Sequence, residues 1–258
     1  MQTTQSLDAA TDRVVRNVVL AGLVPALIVG VALFFVHPIA GAIGMVLVAG
    51  IWSALVAGRA NGALASVVTP LGAAPLAAGS HPRLENLLEG LCATAGVASP
   101  EMRVVESEQM NALVAADRER TVLVMTSGLI DGLGRIELEG AVANLLGRQR
   151  DGSARYSTMV TALFGPSGIG TRLLLSGLGG QRSVHSDMAA VDMTRYPPGL
   201  ISALAQMERT GTLVAGAPQR SIHLWLAPPM DGIGTLDERL ASTTMQPLTL
   251  RIAVLEEL

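Results

Sequence analysis

The 258-residue chain contains no lysine; all 18 of its basic residues are arginine. That absence carries no functional reading by itself, but other scarcities do. A single cysteine, Cys92, excludes any disulfide within the chain. It sits in "ENLLEGLCATAG" at a helical apolar position, where a thiol behaves as a small hydrophobe. Aromatic residues make up 3% of the chain, too few for a base-stacking platform. Net charge is −3, so no overall basic field recruits nucleic acid. Charge of either sign is sparse, at 15%, and is missing altogether between Arg16 and Arg59.

Half the residues are hydrophobic, which points to membrane attachment. Residues 18–36, "VVLAGLVPALIVGVALFFV", and 39–57, "IAGAIGMVLVAGIWSALVA", are two apolar runs. At about 1.5 Å per residue, each approaches the ~30 Å hydrocarbon thickness of a bilayer. His37-Pro38 breaks the run and suits a tight turn, so the pattern predicts a transmembrane helical hairpin. Pro25 is expected to kink the first span, and Gly41, Gly44 and Gly50 to allow close helix approach. Arg13 and Arg16 precede the hairpin and Arg59 follows it, which places both ends, residues 1–17 included, in the cytoplasm.

Residues 58–80, rich in small side chains with two prolines, read as a linker, and a soluble domain is expected over 81–258. Within it, Leu84, Leu87, Leu88 and Leu91 repeat at helical spacing. "MRVVES", "NALVAAD" and "TVLVMT" read as short strands, with "NALVAAD" a candidate sheet edge for an extended peptide. "ELEGAVANLLGRQRD", residues 137–151, reads as a helix that places Asn144 and Arg148 one turn apart. Residues 153–182 are interrupted by Gly165, Pro166, Gly168 and Gly170 and read as a loop with short helices lying on the membrane surface. "GPSGIG" within them lacks the Lys-Ser/Thr of a phosphate loop. Further helices are expected on either side of Tyr196-Pro197-Pro198 and after Pro247.

The order of these pieces resembles the HtpX-like family of membrane zinc metallopeptidases. "HPRLENLLEGLCATAGVASPEMRVVES", "MNALVA", "VLVMTSGLIDGL", "RYPPGLISAL" and "TTMQPLTLRI" carry the resemblance, in the family's order and over most of the chain. The resemblance implies an α+β, mostly helical fold: a transmembrane hairpin and a zincin-like domain with a small sheet. It also implies a zinc helix with HExxH, whose histidines ligate the metal while the Glu activates water. On that register the first His is Asn144, the Glu is Leu145 and the second His is Arg148. Anchored on "RYPP", the third ligand falls at Ser183, its ExxxD partner at Asp187, and the family's tail histidine at Met245.

Zinc is therefore expected to be absent. Asparagine and serine are poor ligands, leucine is none, and Arg148 brings a permanent positive charge to the place of a dication. One expectation is that Arg148 pairs with Asp187, with Asn144 completing the network; the other is that Arg148 snorkels to solvent. His37, His81 and His223 read as structural, and His185 lies roughly 200° around its helix from Ser183, at ~100° per residue. A rebuilt site from His185 with Asp187 or Asp192 is the less favoured reading. The reading is a catalytically inactive membrane pseudopeptidase of the inner membrane. It would bind or regulate other membrane proteins, or serve as a structural subunit of their complex. The alternative is an active zinc endopeptidase of membrane protein quality control with displaced ligands.

Overall fold

The computed structural model describes residues 2–165, 167–229 and 244–258. Pro166 and Thr243, both within quoted motifs, lie outside them.

Helices α1 (Gln2–Ala21) and α2 (Leu23–Phe34) run on from one another and turn back into α3 (Pro38–Asn61). Two stretches, Leu7–Phe34 and Pro38–Asn61, are long and apolar enough to cross a membrane. Their outward faces expose Leu23, Leu27, Ile28, Val46, Leu47 and Ile51, as in a membrane protein. The first rod breaks at Gly22, within a turn of Pro25, whose missing N–H leaves the Ala21 carbonyl without its helical donor. Trp52 fills the break and donates its indole N–H to the Val18 carbonyl at 2.8 Å. The return turn is capped by His37, whose ring accepts from the Ile39 amide, and Pro38 takes the first helical position.

The hairpin closes on glycine. A Cβ at Gly41 would lie 2.7 Å from the Gly30 carbonyl oxygen, and one at Gly44 would lie 2.6 Å from Leu33. Gly50 has nothing within 4 Å, so the close approach expected there is not made.

Three stretches differ from the sequence reading. Residues 58–80 are no bare linker. Helix α4 (Ala63–Val68), a 3₁₀ turn (Thr69–Leu71) and strand β1 (Ala74–Pro75) fold into the domain. There Leu64, Val67, Val68 and Leu71 join a buried cluster. Apolar residues spaced among alanines and glycines made a core helix look like a spacer. The N-terminal segment is also docked: Leu7, Ala10 and Val14 pack against Tyr156 and Val160, and Arg155 binds Asp8 at 2.9 Å and Asp12 at 2.6 Å. Finally, residues 153–182 hold two helices, α8 (Ser153–Phe164) and α9 (Gly168–Leu178). Most of α8 is buried, against the sheet and the N-terminal helix. Its buried face is made of Ser157, Thr158 and Thr161 as much as of apolar residues, so hydrophobic periodicity does not reveal it.

The sheet has the order β1-β2-β4-β3, with β2 (Glu101–Val105) parallel to β4 (Thr121–Thr126) and β3 (Ala112–Ala116) antiparallel to β4. Strand β3 is apolar on both faces because both are covered. Ala112, Val114 and Ala116 point into the larger core beside α5 (Pro82–Ala95), while Leu113 and Ala115 point into the cluster of α4 and Trp225. After β4, Thr126 accepts from the Leu129 amide and starts α6 (Ser127–Gly132). Helix α7 (Arg135–Arg150) then crosses the interior, with α10 (Arg182–Thr194) and α11 (Pro197–Thr210) against it and α12 (Leu248–Glu256) behind them. The fold is mostly helical α+β with a small mixed sheet.

Gly41→Val forces the hairpin apart and is expected to cost about 1–3 kcal/mol, as overpacking does. Gly50→Val should be neutral. Thermal unfolding of the two variants in one detergent checks the contrast.

Candidate functional site

Helix α7 is buried nearly all round, from Leu138 through Arg148. Two glycines let its neighbours in: a Cβ at Gly140 would meet the Leu200 backbone at 2.7 Å, and one at Gly147 would meet Ala189 at 3.2 Å. Glu137 fixes the N-terminus. It accepts from the Gly134 amide, the Ser202 hydroxyl and Gln206. The Ser202 hydrogen bond above all holds its carboxyl below the usual range, against the opposing effect of burial.

On this helix Asn144 is fully buried and donates its amide to Asp187 Oδ1 at 2.8 Å. Asp187 is also buried, but its ionic partner is Arg251 on α12, not Arg148. Arg251 Nε reaches Oδ2 and Nη2 reaches Oδ1, each at 2.7 Å, a bidentate fork. Arg251 Nη1 donates to the Leu226 carbonyl at 2.6 Å. The expected Arg148–Asp187 pair is not formed. Nor does Arg148 snorkel: it is 1% exposed, and its Nη1 donates to the Trp225 carbonyl at 2.8 Å. Its Nε and Nη2 have no hydrogen-bond partner among the described residues. Burial chiefly, then Arg182 and Arg251, push its pKa well below the ordinary range, while Asp187 and Asp151 oppose this. A guanidinium is nonetheless cationic at neutral pH. Arg148 and Arg251 thus clamp the carbonyls of one segment from below.

That segment also closes the sheet. Trp225 bridges Leu113 antiparallel, Leu226 N–H donates to the Ala112 carbonyl, and Ala227 exchanges hydrogen bonds with the Asn111 side chain. Strand β3 is at the sheet edge, as expected for "NALVAAD", but the chain's own Trp225–Ala227 covers its first part. Strand addition of another peptide there would have to displace it.

The remaining positions are brought together but not as ligands. Ser183 is buried and donates its hydroxyl to the Thr244 carbonyl at 2.8 Å, and its Oγ lies 3.9 Å from Met245 Sδ. The positions of the third ligand and of the tail histidine therefore meet in space. Leu145 is buried in the core. The asparagine amide is turned to Asp187, the serine to a carbonyl, and a cation stands one turn along. This donor set does not fit zinc. Among the described residues no group of three or more His, Cys, Asp or Glu converges to hold a metal ion. His185 is exposed on the far side of α10 from Ser183, and His37 and His81 lie at helix N-termini. His223 is fully buried, with Nε2 3.1 Å from Thr161 Oγ1. Burial, with the Arg182 and Arg148 charges, lowers its pKa to about 3.

Sequence reasoning missed Arg251 as the partner of Asp187, and Arg182 altogether. For Arg251 a signal existed, since it stands in the tail match "PLTLRI". Arg182 carries none.

The chain is a distant homologue of HtpX-family peptidases across bacteria. It is 26% identical over 196 residues to the "Protease HtpX homolog" of Tropheryma whipplei (strain Twist), covering 62% of this chain and 67% of that protein. It is 27% identical over 188 residues to that of Dictyoglomus thermophilum, covering 58% and 62%. It is 26% identical over 221 residues to that of Salinibacter ruber, covering 74% and 80%. No protein-family profile matches the chain, and no solved structure matches it.

Arg251→Met leaves Asp187 buried with only Asn144 and is expected to cost about 3–5 kcal/mol; Asp187→Asn in that background should recover part of the loss, read by urea unfolding. His223 gives a pH signature. Its unfolded imidazole takes a proton near 6.5 and its folded one only near 3. Its contribution is complete above 6.5 and is lost as pH falls toward 3, at about 1.4 kcal/mol per unit. His223→Asn should flatten that part of the stability–pH curve.

Proposed function

We propose that the chain is a catalytically inactive, membrane-anchored relative of HtpX peptidases. It serves as a binding, regulatory or structural subunit among other membrane proteins. The observation that carries this reading is the state of Asp187. Its place in the family-like scaffold is kept, by Asn144 and a bidentate arginine. The positions that would ligate a metal and activate water are Asn144, Leu145, Arg148 and Ser183. Without a base at Leu145, even an adventitious metal lacks a group to take a proton from its water. The fold is maintained around a site that has lost its chemistry, which favours contact over cleavage.

The hairpin is proposed to sit in the cytoplasmic membrane with the folded domain on the cytoplasmic side. Arg13, Arg16 and Arg59 flank its open end, and the return turn at His37-Pro38 carries none.

Metal analysis by mass spectrometry of protein purified without chelator, paired with a cleavage assay on an unfolded substrate, tests the reading. The expected result is folded protein with substoichiometric zinc and no chelator-sensitive cleavage. Near-stoichiometric zinc with chelator-sensitive cleavage would establish a peptidase with displaced ligands instead.

A further inference from the structure

Three arginines, Arg148, Arg182 and Arg251, are buried to 96% or more, from 1% to 4% exposed. Among the described residues the one carboxylate buried beside them is Asp187, and Arg251 takes both of its oxygens. Among those residues Arg148 and Arg182 form no ion pair with an acid. Arg148 satisfies Nη1 on backbone carbonyls, while its Nε and Nη2 find no partner among the described residues. Arg182, at the N-terminus of α10, has its Nε and Nη2 buried, likewise without a partner among them. The two lie near enough for the Arg182 charge to disfavour that of Arg148, and both act on His223. Ser157, whose backbone reaches His223, adds a buried hydroxyl without a partner.

Of the unpaired buried atoms here, those of Arg148, Arg182 and Ser157 have protons to donate, Asn144 Oδ1 accepts, and His223 Nδ1 does either by tautomer. A donor-rich, cation-rich interior is costly until an acceptor enters it. Arg182 also lines a cavity of about 880 Å³, together with Arg150, Asp151, Ser153, His185 and Ser186. Asp151 is the one acid on that wall. It is engaged by the amide and hydroxyl of Ser153. Among the described residues of both layers, four guanidiniums (Arg148, Arg150, Arg182, Arg251) stand with two carboxylates (Asp151, Asp187).

The geometry points to an oxyanion site: the cavity over Arg182 takes a carboxylate or phosphate group, bound by Arg182 with Arg148 behind it. The planar fork of a guanidinium matches either group, and the low dielectric of the interior strengthens the attraction. Arginine at one mapped ligand position, Arg148, with Arg182 beside it, thus favours an anion where a dication would be repelled. This inference builds on the metal-free reading above, but anion binding is measured independently of zinc and of cleavage, so the two fail separately.

The test uses the full chain in detergent at fixed ionic strength, with chloride as reference. One arm adds inorganic phosphate. The other adds N-acetyl-alanyl-alanine, a free carboxylate terminus, against its C-terminal amide. A saturable rise in Tm with phosphate alone assigns the site to a free anion. A rise with the peptide acid but not the amide assigns it to a chain terminus. In Arg182→Met the rise is abolished, and without probe this variant is at least as stable as the unaltered protein, because an unpaired buried charge has gone. Calorimetric titration of the unaltered protein gives the same answer should the variant not fold. No response to either probe beyond chloride, or an equal rise in Arg182→Met, overturns the proposal.

Discussion

A carboxylate with no water around it has to be neutralised by its neighbours, and in this protein much of the interior is arranged to do that for Asp187. The group lies on α10. Its partners come from α7, through Asn144, and from α12, through Arg251. Arg251 spends its remaining nitrogen on the Leu226 carbonyl, and Leu226 in turn is tied to β3. One buried charge therefore holds together three helices and the sheet edge. A pair of this kind adds little net stability compared with a well-packed apolar core, but removing one partner is severe. Its value is in fixing which helices meet and in what register.

Around that centre, the electrostatic logic is the reverse of a metal site. A zinc site gathers anionic or neutral donors about a dication, with acids behind them to orient the ligands. Here a buried acid, Asp187, is held by Asn144 and Arg251, and a further arginine, Arg148, stands one turn along from Asn144. Among the described residues no cluster converges to hold a metal ion, and Arg148 rests on backbone carbonyls while Arg251 takes the acid. The covering of β3 by Trp225–Ala227 belongs to the same arrangement, since Arg148 and Arg251 hold the carbonyls of that segment.

The membrane part and the folded part are less separate than an anchor and a cargo. The first helix leaves the hairpin and docks on α8, where Arg155 bridges two of its aspartates. Helix α4, straight after the hairpin, enters the core beneath the sheet. The apolar helices and the folded domain thus share packed side chains and ion pairs.

What the sequence determined by itself is what short-range pattern determines. The uncharged stretch between Arg16 and Arg59 dictated two long apolar helices. Apolar repeats and β-branched runs dictated α5, α7 and the strands, and the resemblance implied ligand positions at Asn144, Arg148 and Ser183 and a base position at Leu145. Tertiary structure decided the pairings. Arg251 and Asp187 are 64 residues apart, and only the meeting of α10 with α12 makes them partners. Whether Arg148 pairs, snorkels or caps carbonyls depends on the segment laid across it, 77 residues further on. The core roles of residues 58–80 and of α8 were equally invisible, because alanine, glycine, serine and threonine are buried by where their neighbours stand, not by their own aversion to water.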